Sequence, residues 1–106
     1  VAKIVALSSD LLLGSKVEAM LQSAGHDVTL FPSVPEQLED VDLLVADLDA
    51  EDPQALTEPG IPVLGYYSHV NVETKQAAEA AGIDRVVPRS RMARELPDLV
   101  VELLEG

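Results

Sequence analysis

Apolar residues fall along this chain in two alternating kinds of run. Lys3-Ile4-Val5-Ala6-Leu7 is short and nearly continuous, without the alternation of a half-exposed strand. Such a run suits a strand buried on both faces of a parallel sheet. Ser8-Ser9-Asp10 breaks it and offers a helix cap. Leu13, Val17, Met20, Leu21 and Ala24 follow at helical spacing, and Gly25 supplies a stop. The pattern then recurs. Residues 27–31, 41–46, 61–67 and 84–88 predict four further strands, with Pro62 near the start of the fourth, where a missing donor matters least. Between them, residues 35–39 allow at most a turn or two of helix. Residues 52–58 allow a short helix with Pro53 in its first turn. A helix capped by Asn71 runs to Ala81 and stops at Gly82. The last helix carries Leu99, Val100, Leu103 and Leu104 on one side, which requires Pro97 to lie in its first turn.

Strands alternating with helices predict an α/β domain: a five-stranded parallel sheet, doubly wound, with helices on both faces and right-handed crossovers. The connections around the second and third helices are short, so one side of the sheet is thinly covered. The 106 residues make one domain, 1–106, with no linker or internal repeat. Apolar residues are 47% of the chain, enough for one core, and with only Phe31, Tyr66 and Tyr67 aromatic that core is aliphatic.

Charge narrows the function. The formal net charge is -12, which repels phosphate backbones and anionic lipid, so neither a nucleic acid nor a membrane is an expected partner. Twelve acids and no Lys or Arg lie from Glu18 to Glu73, whereas Arg85, Arg89, Arg91 and Arg94 fall within ten positions. The absence of cysteine excludes disulfides, zinc–thiolate sites and a thiol nucleophile. No apolar run reaches spanning length and no leader is visible, so the expected location is the cytoplasm.

In an open parallel sheet, ligands bind beyond the carboxyl ends of the strands, where strand order reverses. The residues predicted there are polar: Ser8, Ser9 and Asp10; Asp47 and Asp49; Tyr67, Ser68 and His69; Arg89 and Ser90. Neither a Gly-x-Gly-x-x-Gly turn nor a P-loop is present, so no dinucleotide or nucleoside triphosphate is indicated. Ser68 and His69 are adjacent, which rarely aligns a hydroxyl with an imidazole, and no Gly-x-Ser-x-Gly turn accompanies them. His26 reads as a turn residue.

The stretch from Ser8 to Gly25, the run Val41-Asp42-Leu43-Leu44-Val45-Ala46-Asp47-Leu48 and the step Ala80-Ala81-Gly82-Ile83-Asp84 together resemble a response-regulator receiver domain of the CheY-like superfamily, across essentially the whole chain. The resemblance implies a flavodoxin-like fold with strand order 2-1-3-4-5. It also implies an acid pair after strand one that helps hold Mg²⁺, a phospho-accepting Asp after strand three, a Ser or Thr ending strand four and a Lys after strand five. Asp47 matches the acceptor. The acid-pair positions hold Ser8 and Ser9, with Asp10 one residue late. Tyr67 stands at the Ser/Thr position, Ser68 follows it, and Arg89 replaces the Lys. Hydroxyls are poor ligands for a hard dication, and a guanidinium fork is not an ammonium point charge.

These features predict a non-enzymatic pseudo-receiver that binds a signalling protein. No resident cofactor is expected; Mg²⁺ would bind weakly, through Asp10 and Asp47. The expected contact face is the last helix-strand-helix unit with Lys75, Arg85, Arg91 and Arg94, a face through which the chain could also pair with a second copy. Two alternatives stand beside this: a genuine phospho-acceptor in a two-component relay, using Asp47 with Asp10 or Asp49, and an anion binder using Arg89 and Ser8.

Overall fold

The computed structural model describes residues 2–68 and 72–105, with only the backbone described at Leu11 and Val72. His69, a predicted site residue, and Asn71, a predicted cap, lie outside the described residues. In chain order the elements are β1 (Lys3–Leu7), α1 (Leu11–Ser23), β2 (Asp27–Phe31), β3 (Leu43–Asp47), α2 (Pro53–Thr57), β4 (Val63–Tyr67), α3 (Val72–Ala81), β5 (Arg85–Pro88) and α4 (Arg89–Glu105). The five strands form one sheet in the order β2-β1-β3-β4-β5, every neighbouring pair parallel. This is the doubly wound, flavodoxin-like topology.

Successive strand residues face opposite sides, and both sides are buried. Ile4, Ala6, Leu43, Val45, Leu64 and Tyr66 pack beneath α1 and α4. Val5, Leu7, Leu44, Ala46, Val63 and Tyr67 pack on the side of α2 and α3. That is why these strands read as continuous apolar runs. The helix ends follow the sequence signals. Asp10 caps α1 by accepting from the Leu12 and Leu13 amides at 3.0 and 3.3 Å. At the other end Gly25 adopts φ 93°. Its amide donates to Gln22 and that of His26 to Leu21, at 3.0 and 3.1 Å, closing a Schellman turn that needs a left-handed residue.

Two elements differ from expectation. Residues 32–42, which join β2 to β3, form no helix; a helical crossover needs a dozen or more residues, and this connection must also pass over β1. Pro97 does not open the last helix. α4 begins at Arg89, directly after β5, and carries Pro97 in its interior. Met92, Leu96, Leu99 and Val100 are buried on both sides of the proline, and that shared apolar face holds the helix continuous.

Candidate site at the carboxyl edge of the sheet

The carboxyl ends of β1, β3 and β4 and the start of α4 bring Ser8, Ser9, Asp10, Asp47, Asp49, Tyr67, Ser68 and Arg89 to one edge. Ser8 is fully buried. Its hydroxyl donates to the Asp10 carbonyl at 3.0 Å and accepts from the Asp10 amide at 3.1 Å, closing the turn that leads into α1. Ser9 is exposed. The helix rests close above this turn because Gly14 has no side chain: a Cβ there would lie 3.3 Å from that of Ser8 and 2.8 Å from Leu30.

Asp47 ends β3, half-buried. Its Oδ1 accepts from the Asp49 amide at 2.9 Å. Burial pushes its carboxyl above the usual 3.8, the carboxylates of Asp49 and Asp10 push the same way, and the Asp49 amide and the Arg89 cation oppose them. Glu51 is raised too, by its own burial and by Asp47. The loop after Asp47 is held against β4. The Leu48 amide donates to the Tyr66 carbonyl at 2.8 Å, and the Leu48 side chain lies over Gly65, where a Cβ would come within 2.8 Å of it. Asp49 is committed elsewhere, since its Oδ2 accepts from the Ser68 amide at 2.8 Å and from the Ser68 hydroxyl.

The residue that the sequence pattern missed is Tyr66. It pairs in register with Asp47 and is 2% exposed. Its phenol is pushed up to about 12, chiefly by burial; contact with the Ser8 hydroxyl lowers it and the nearby Asp47 raises it. Tyr67 points to the opposite face of the sheet, among the residues covered by α2 and α3. It also lines an open cleft of about 480 Å³ with Ser68, Pro88, Arg89 and Ser90. Only the register decides it: Asp47 and Tyr66 are neighbours across the ladder, a pairing that the linear pattern does not give.

For a magnesium ion this edge offers the carboxylates of Asp10, Asp47 and Asp49 and the hydroxyl of Ser8. Mg²⁺ demands near-octahedral oxygen ligation with carboxylates among the ligands. Asp10 gives its Oδ1 to the helix, Asp47 its Oδ1 to the Asp49 amide and Asp49 its Oδ2 to the Ser68 amide and hydroxyl, while the Ser8 hydroxyl closes a turn. Among the described residues, no three His, Cys, Asp or Glu side chains gather closely enough to hold a metal.

The basic residues of the last helix-strand-helix unit are partly spent. Arg85 pairs with Glu102 at 3.2 Å and Arg91 with Glu95 at 3.3 Å. The Arg94 Nε donates to the Ser90 carbonyl at 3.4 Å. Lys75 is exposed on α3, across the sheet from α4.

No family model matches the sequence, and no curated protein does. Solved structures match over nearly the whole chain. A CheY-like receiver domain protein from Methanospirillum hungatei superposes with a TM-score of 0.83 at 15% identity, covering 99% of this chain and 94% of that one. The chemotaxis protein CheY4 of Vibrio cholerae gives 0.82 at 19%, covering 96% and 98%. This chain has the receiver fold. A pilus assembly-related protein from Burkholderia pseudomallei is also similar, with a TM-score of 0.77 at 21% identity over 98% and 90%. Among the described residues of this receiver fold, no helix is long and apolar enough to cross a membrane.

Proposed function

We propose that this receiver fold serves as a non-catalytic signalling module that binds a protein partner, its phosphorylation chemistry lost with its metal site. One observation carries the reading. Ser8 occupies the position that the receiver resemblance assigns to a metal-binding carboxylate, and its buried hydroxyl is consumed in closing the turn before α1. Phosphoryl transfer rests on positioning and on neutralising charge, mainly by metal and cation. With the dication unsupported, Arg89 is the cation beside Asp47 among the described residues. The similarity to response-regulator receivers and to a pilus assembly-related protein agrees with a module that works through protein contacts.

Amide NMR spectra test this. With Mg²⁺ added to about 10 mM, and then with beryllium fluoride as an acyl-phosphate mimic, the amides around Asp47 are expected to stay in place. In a Ser8→Asp, Ser9→Asp variant, Mg²⁺ is expected to shift them, because two carboxylates are restored. Shifts centred on Asp47 in the unmodified protein would instead establish a working phospho-acceptor.

A further inference from the structure

The receiver fold leaves one helix position unfilled. Residues 32–42 cross from β2 to β3 without a helix, so on the α2 side the face over β1 and β2 carries that segment in place of a helix. Phe31, Val34, Leu38 and Val41 lie half-buried there against the core. Two open hollows flank the segment. One, of about 460 Å³, runs between Val34, Pro35 and the end of α2. The other, of about 360 Å³, is floored by Val5, Phe31 and Val41. Leu38 lines both, so the two hollows adjoin across it as one trough of mixed apolar and polar lining.

The rim of this trough is acidic. Glu36, Glu39, Asp40 and Asp42 are exposed along the crossing segment, and Glu58 stands opposite. Among the described residues, the one cation lining either hollow is Lys3, whose Nζ donates to the Glu39 carbonyl at 2.9 Å. No Lys or Arg occurs from Glu18 to Glu73.

We infer that this trough docks a basic amphipathic helix of a partner protein, seated where the sheet lacks a helix of its own. The inference rests on the module's binding a protein partner and names that partner's chemistry. Elsewhere the sheet faces are covered by helices, whose diameter of about 10–12 Å sets the depth of the layer. A helix with one apolar face buries it in a hydrophobic groove and presents its flanks to the rim. Lysines or arginines on those flanks meet the acidic rim, and charge complementarity selects them over other helices. A second copy of this chain is disfavoured, because two molecules of net charge -12 repel each other.

The test uses amide NMR on the full chain with synthetic peptides of about sixteen residues, long enough for four turns. The first carries leucines on one helical face and lysines on the other. The second has the same composition scrambled so that the leucines share no face, and the third replaces lysine by glutamate. The first peptide is expected to shift Thr29, Phe31, Leu38 and Val41, and the other two to leave them in place. A Glu36→Lys, Glu39→Lys variant, altered only at exposed positions, is expected to bind the first peptide about tenfold more weakly. Leu38→Asp is expected to abolish those shifts while the circular dichroism stays native. Absence of shifts, equal response to all three peptides, or shifts centred on the α1–α4 face would overturn the inference, as would concentration-dependent shifts at the trough without peptide. Its failure is separable from that of the non-catalytic reading, which is read at Asp47 with Mg²⁺ and beryllium fluoride.

Discussion

At the scale of single residues, Asp47 is defined by its surroundings more than by its type. Burial is the largest influence on it, and two neighbouring carboxylates act in the same direction. Its folded pKa therefore lies above 3.8, and between the two values the native state binds more protons than the unfolded chain. Stability from this group falls as pH rises through that window and is fully present below it. Asp47→Asn removes the penalty while keeping an oxygen for the Asp49 amide. The variant is expected to be more stable than the parent at neutral pH, with the difference shrinking as pH drops towards 3.8. Paired urea titrations at stepped pH measure it, and a variant less stable at neutral pH would contradict this account of Asp47. Ser8 shows the same dependence on context. Its type suggested only a turn or an anion contact, whereas its complete burial and paired hydrogen bonds make it the closure of the turn into α1.

At the scale of elements, α4 decides between a local rule and a tertiary one. An interior proline costs about 3 kcal/mol or more through a lost hydrogen bond and a clash with the preceding turn. Met92, Leu96, Leu99 and Val100 are each worth about 1.5–3 kcal/mol on burial, and they flank Pro97 on both sides. Their sum exceeds the cost, so the helix runs through. Pro97→Ala is expected to raise stability by about 1–3 kcal/mol, read as a higher urea midpoint at unchanged slope. A loss of stability would show instead that the proline's ring packing or its effect on the unfolded chain outweighs the missing bond. The segment 35–39 illustrates the converse. Nothing within it forbids a helical turn, but the connection is too short to hold a helix and also cross β1.

At the scale of the whole molecule, the two buried faces of the sheet supply the cohesion and the surface charge opposes it. A net charge of -12 on so small a body destabilises the compact state through self-repulsion. Salt screens such repulsion, with a Debye length of about 10 Å at 0.1 M. Thermal melts are therefore expected to shift upward by about 4–8 °C for each kcal/mol relieved between low and moderate salt. A melting temperature that falls with added sodium chloride would mean that exposed pairs such as Arg85–Glu102 contribute more than the net repulsion costs. The charge is also unevenly spread. The basic residues near β5 partly neutralise their own helix, while the acids along 36–42 remain at the rim of the sheet face that lacks a helix.

Much of this was written in the linear pattern. The five strands, their parallel pairing and the stops at Gly25 and Gly82 follow from local causes: apolar runs, cap residues, and glycines whose left-handed backbone ends a helix. The residues gathered at the carboxyl edge were legible too, because strand ends in a doubly wound sheet share an edge whatever the details. Tertiary structure alone decided which side chains meet there. Tyr66 rather than Tyr67 faces Ser8 and Asp47, since strand register and parity fix the direction of each side chain. It likewise decided that Pro97 sits inside a helix and that 32–42 does not form one. Sequence sets what each segment prefers by itself, and packing sets what it must accept, because burial of a shared apolar face outweighs a local cost of a few kcal/mol.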